Sequence, residues 1–113
     1  MAKKAAGGFQ LKGEALGMVA ARFKALSEPT RMKILLQVFD GEKTVSELVK
    51  ETGLSQPNIA KHMGLLSETG LLTKRREGLH VYYGLGDDSI PSLVEDAYNA
   101  LAKQFTQRSR LFR

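Results

Sequence analysis

Apolar residues recur at helical spacing through the first half of the chain. Leu16, Val19, Phe23 and Leu26 form one stripe beginning near Glu14, and Ser27-Glu28-Pro29 interrupts it. Pro29 cannot continue the first helix but fits the opening turn of a second one. That second helix carries Ile34, Leu35 and Val38 on one face and ends near Asp40-Gly41. Thr44-Val45-Ser46-Glu47 reads as a capping box, because the Thr side chain can accept from the N3 amide while Glu47 reaches back. The short helix it starts buries Leu48 and Val45 and stops at Thr52-Gly53. Ser55 is an N-cap for the next helix, with Pro57 in the first turn and Ile59, Met63 and Leu66 as its buried stripe.

After Gly70 the period changes from helical to alternating. Leu71 to Arg76 and Leu79 to Leu85 read as two strands joined at Glu77-Gly78, with Val81, Tyr83 and Leu85 on an apolar face. Asp87-Asp88-Ser89 with Pro91 opens a last helix whose stripe is Val94, Ala97, Leu101 and Phe105. It runs towards a basic tail of Arg108, Arg110 and Arg113. The expected order is helix, helix, helix, helix, hairpin, helix: a mainly α chain with a small β-hairpin. Residues 1–12 read as a flexible basic arm, and 13–113 as one domain.

Composition narrows the function classes. Seventeen Lys and Arg against twelve Asp and Glu leave a net charge of +5, which suits a polyanionic partner without identifying one. Cysteine is absent, which excludes disulfides, thiolate metal ligands and thiol redox sensing. No apolar run approaches the ~20 residues of a membrane span, and no apolar segment follows the basic N-terminal residues. The expectation is a cytoplasmic protein without a membrane partner. No Gly-rich phosphate loop, Cys nucleophile or His near a convergent carboxylate suggests an enzyme.

Two short helices joined by a tight Gly-containing turn, followed by a basic hairpin, have the layout of a winged helix-turn-helix. Packing Leu48 against Ile59 leaves Gln56, Asn58, Ala60, Lys61 and Gly64 on the open face of the second helix. Gln and Asn can bond adenine edges in pairs, Lys can donate to guanine or phosphate, and small residues let the helix lie close. Ser55, Pro57 and the first-turn amides can meet a phosphate. A polar solvent face would look similar, but the hairpin adds Lys74, Arg75, Arg76 and His80 beside it. Alternation sends Lys74 and Arg76 to one face and Arg75 to the other, so the three cannot all meet one groove. Such a wing would supply salt-dependent affinity for duplex DNA.

The run Ala25-Leu26-Ser27-Glu28-Pro29-Thr30-Arg31 resembles the opening of the second helix of ArsR/SmtB-type regulators. So do Ser55 to Leu66, Glu68 to Leu72, and the wing from Arg75 to Tyr83, in register over about residues 15 to 105. The resemblance implies a homodimeric repressor of a palindromic operator, joined through the first and last helices and released by an effector. Leu16, Val19, Phe23, Val94, Leu101 and Phe105 are the apolar residues available for that interface. His62 matches a His common in the family's recognition helix, and is placed among the DNA-contacting residues in a structural or phosphate-facing role.

The sensing positions depart from the family. Where many relatives carry metal-binding cysteines, this chain has Thr44, Ser46 and Val49. Its last helix offers only Asp87, Asp88, Glu95 and Asp96, with no His. No metal site or cofactor is expected, and the sequence names no effector. The competing expectation is a winged-helix protein-interaction or RNA-binding module, for which Tyr82 is the exposed stacking candidate.

Overall fold

The computed structural model describes residues 8–105, and the basic tail expected at Arg108, Arg110 and Arg113 lies outside them. Helices α1 (Gly13–Leu26), α2 (Pro29–Gln37), α3 (Val45–Thr52) and α4 (Gln56–Glu68) precede strands β1 (Leu72–Glu77) and β2 (His80–Leu85). Helix α5 (Ser89–Gln104) follows.

Local chemistry explains most boundaries. Glu28 caps α2 by accepting from the Arg31 amide at 2.8 Å, with Pro29 in the first turn. The capping box of α3 is complete: the Glu47 amide donates to Thr44 Oγ1 at 3.2 Å, and the Thr44 amide donates to Glu47 Oε1 at 2.8 Å. The bond from the Thr44 amide, with a smaller one from its hydroxyl, holds the Glu47 carboxyl below the usual carboxylate range. Helix α3 ends at Gly53, whose φ of 77° lies in the left-handed region that glycine enters without a Cβ penalty. Leu54 then leads to Ser55, which caps α4 by accepting from the Asn58 amide at 3.2 Å.

The C-terminus of α4 is a Schellman motif. The Leu71 amide donates to the Leu66 carbonyl at 2.9 Å, and the Gly70 amide donates to the Ser67 carbonyl at 3.1 Å. Gly70 takes φ 77° to permit this, and Leu71 is thereby turned into the core.

The core is built where these elements converge. Ile34, Leu35 and Val38 from α2 meet Leu48 from α3, Ile59, Met63 and Leu66 from α4, and Leu71 and Leu72 at the base of the hairpin. Val45 is only half-buried. The end helices contribute little: Ala25 and Leu26 from α1, and Ile90 from α5. Leu16, Val19, Phe23 and Leu101 remain exposed, by between 37% and 51%, while Val94 and Phe105 are half-buried.

The hairpin differs from expectation by one residue. Leu72 pairs with Leu85 and Glu77 with His80, so the loop is Gly78-Leu79 rather than Glu77-Gly78. Gly78 has φ 62° and Leu79 has no positive φ, as a type II′ turn requires. Lys43 adds a single antiparallel bridge to Tyr83, with bonds of 2.9 and 2.8 Å, tying the α2–α3 loop to β2.

Candidate nucleic-acid interface

Helix α4 presents two distinct faces. Ile59, His62, Met63 and Leu66 are buried, while Gln56, Pro57, Ala60, Lys61 and Gly64 are exposed. Ser55 sits exposed at the helix start, and Asn58 is half-buried at the edge of the open face. The absence of side-chain bulk at Gly64 and its small size at Ala60 keep this face low. Among the described residues, neither Gln56 nor Lys61 has a side-chain hydrogen-bond or ion-pair partner. Their donors and acceptors are directed to solvent, as a groove-reading face needs.

His62 departs from its expected place among the DNA-contacting residues. It is 8% exposed and lies on the packed side of α4. Its Nδ1 is 3.4 Å from Arg31 Nη1. A guanidinium can only donate, so Nδ1 accepts and the ring proton sits on Nε2. The same Arg31 donates to the carbonyls of Ala25, at 2.8 Å, and Lys24, at 3.3 Å. One side chain thus closes the end of α1 and braces α4. The bond from the Arg31 amide, helped by the Arg31 charge, holds the Glu28 carboxyl below its usual range. Arg31 was not singled out from sequence, although an Arg in a helix's first turn opposes the macrodipole and invites another explanation.

The wing separates its cations as the alternation requires. Cross-strand partners share a face, so Lys74 lies with Tyr83 and Arg76 with Val81, while Arg75 lies with Tyr82 and Glu77 with His80. Lys74, Arg76 and His80 are exposed, and among the described residues neither Lys74 nor Arg76 has an ion-pair partner.

Arg75 is engaged within the protein. Its Nη2 and Nε donate to Glu42 at 2.7 and 3.1 Å, its Nη1 donates to Glu77 at 2.7 Å, and its guanidinium lies 4.8 Å from the Tyr82 ring centroid. This two-carboxylate grip raises the Arg75 pKa further above its already high value. Gly84 leaves room for Glu42: a Cβ there would stand 3.1 Å from both Glu42 Cγ and Thr73 Oγ1, so these side chains would have to shift by a few tenths of an ångström. Tyr82 is consequently half-buried beneath Arg75, rather than the exposed ring that base stacking would use.

The bond from Arg75 also holds the Glu42 carboxyl below its ordinary value. A depressed carboxylate stabilises the folded wing above its unfolded pKa and stops doing so as pH falls through the lower folded value. Acidification below the usual carboxylate range is therefore expected to release Arg75 and lower amide protection factors along the wing. Glu42→Gln should lower those protection factors at neutral pH and remove the acid-dependent step. Hydrogen exchange followed by NMR across pH checks both outcomes.

No described helix is long and apolar enough to cross a membrane. Among the described residues no group of three or more His, Asp or Glu could hold a metal ion. Asp87, one of the oxygen donors considered from sequence, accepts from the Ser89 amide and hydroxyl and pairs with Arg22.

Comparison with known proteins places this geometry. Residues 28–74 match the model for "bacterial regulatory protein, arsR family". A biofilm growth-associated repressor from Xylella fastidiosa is 32% identical over 89 residues, which cover 79% of this chain and 78% of that protein. A probable mercury resistance operon repressor from Streptomyces lividans is 39% identical over 72 residues, covering 64% of this chain and 58% of its own length. Among solved structures, the homodimeric winged helix-turn-helix DNA-binding domain of a possible ArsR-family regulator from Mycobacterium bovis superposes with a TM-score of 0.74. That likeness carries 27% identity and spans 91% of this chain and 94% of the domain. With an open capped helix beside a basic wing, and these relatives, the chain belongs to the ArsR family of bacterial regulatory proteins.

Proposed function

We propose that the protein is a homodimeric repressor that binds a palindromic operator, reading bases with α4 and gripping the backbone with the wing. The observation that carries this reading is the pairing of unsatisfied groups: Gln56 and Lys61 on the open face of α4, and Lys74 and Arg76 on the wing. Among the described residues none of the four has a side-chain partner. At the helix start the Ser55 hydroxyl suits a phosphate, Pro57 adds contact alone because it has no N–H, and His80 extends the basic edge of the wing. Arg75 acts by holding the wing's shape through Glu42 rather than by a free cation's contact.

Homodimerisation is supported by the apolar residues that α1 and α5 leave exposed, and by the homodimeric state of the M. bovis domain. A two-fold dimer would set its recognition helices about one DNA turn apart, ~34 Å. Repression follows the named activity of the Xylella and Streptomyces relatives. The competing RNA reading is less favoured, since Arg75 occupies one face of the half-buried Tyr82 ring.

Selection of bound duplexes from genomic DNA tests the reading. A palindromic site should be enriched, and its affinity should fall steeply between about 50 and 200 mM salt. Arg76→Ala should weaken selected and random duplexes alike and lower the salt slope by roughly 2 for the dimer. Equal binding to random duplex at every salt concentration would overturn the proposal.

A further inference from the structure

Helix α1 is attached to the body almost entirely at its C-terminal end. From Lys12 to Lys24 every residue is exposed except Arg22, which is half-buried, and full burial begins only at Ala25. Between α1 and the end of α4 lies an open crevice of about 430 Å³, lined by Met18, Val19, Ala21, Arg22, Glu68 and Thr69. The two helices are therefore not packed there.

Arg22 spans the gap. Its Nη2 donates to the Gly70 carbonyl at 3.3 Å and stands 3.0 Å from Asp87 Oδ2. Gly70 closes the Schellman turn of α4, and Asp87 stands at the head of α5, its Oδ1 accepting from the Ser89 amide at 2.8 Å. One guanidinium thus touches the end of the recognition helix and the start of α5 while belonging to α1. The surface it grips is firm, because Gly86 donates to the Leu71 carbonyl at 2.9 Å and lies directly against Gly70.

We infer that Arg22 is a positioning residue that sets the direction of α1 relative to α4, and so the spacing and angle of the two recognition helices. This rests on the dimeric DNA-binding reading above, in which α1 and α5 form the interface. The ion pair is substantially exposed, with 33% of the Arg22 side chain and 40% of the Asp87 side chain accessible, so it contributes little to folding. Its effect falls on geometry. Two half-sites bound together gain avidity only while both helices can engage at once.

The test compares the selected palindrome, a single half-site duplex and palindromes whose half-sites are moved by single base pairs. Arg22→Met should lower affinity for the palindrome by roughly 10²-fold and flatten the preference for one spacing. Half-site affinity, thermal midpoint and dimer mass in sedimentation should stay near wild type. Arg22→Lys should recover part of the spacing preference, and Asp87→Asn, which keeps an acceptor for Ser89, should show the same change more weakly. Wild-type spacing preference in both Arg22→Met and Asp87→Asn would overturn the inference while leaving the DNA reading intact. Dissociation of Arg22→Met into monomers would also overturn it, in favour of a role in assembly. If the wild-type protein prefers neither palindrome nor half-site, the DNA reading itself fails.

Discussion

Gly86→Ala is expected to destabilise the fold by about 3 kcal/mol or more, placing it among the most damaging single-methyl additions available. The reason is backbone against backbone. A Cβ at residue 86 would stand 1.8 Å from the Gly70 carbonyl oxygen and 2.9 Å from the Leu71 carbonyl carbon. A flexible side chain could step aside, but these atoms belong to the turn that ends α4 and enters β1. Relief would require moving the Schellman turn, and with it the buried Leu71. Urea unfolding of Gly86→Ala against wild type checks this, with Gly64→Ala as control. Gly64 lies in the middle of α4 with nothing within 4 Å of a built Cβ, so that change should be neutral or stabilising to folding. A Gly86→Ala protein within 1 kcal/mol of wild type would show that the close approach is not required.

The second large effect concerns recognition. Gln56→Ala combined with Lys61→Ala is expected to abolish most discrimination between the selected operator and random duplex. Each well-placed base contact is worth about 1–3 kcal/mol of discrimination, and a dimer loses each one twice. Stability should change by less than about 0.5 kcal/mol, because both side chains are exposed and without partners among the described residues. Competition binding with the operator and a scrambled duplex, beside a thermal melt, separates the two quantities. Unchanged operator choice in the double variant would remove α4 as the reading element. Asn58→Ala should be milder in recognition, since Asn58 stands at the half-buried edge of the helix.

Short-range chemistry was the part of this molecule most readable from its residues. Thr44 with Glu47 and Ser55 with Asn58 mark the starts of α3 and α4, because a cap is satisfied by residues three positions away. The stripe Ile59, Met63 and Leu66 identified the buried side of α4. His62 read equally as structural or phosphate-facing, because its polarity masks its position and Arg31, its partner, is 31 residues away. The wing turn slipped by one residue for a related reason. A Glu-Gly pair reads as a turn, yet a type II′ turn needs glycine first, which returns Glu77 to the strand.

Pairings across the fold left no local trace. Nothing near Arg75 announces Glu42, 33 positions earlier, and nothing near Gly86 announces the carbonyl of Gly70. The three basic residues of the wing look equivalent in sequence, and only the tertiary structure shows that one of them is held by carboxylates.

The sparse anchoring of the end helices has a thermodynamic consequence. Helices α1 and α5 place only Ala25, Leu26 and Ile90 in the core of one chain, and Leu16, Val19, Phe23 and Leu101 stay exposed. In a protein that dimerises as proposed, their cover comes from a second copy, and folding is linked to association by mass action. Such a regulator has no single melting temperature: its midpoint rises with protein concentration, and scarcity loosens the same helices that aim the reading heads.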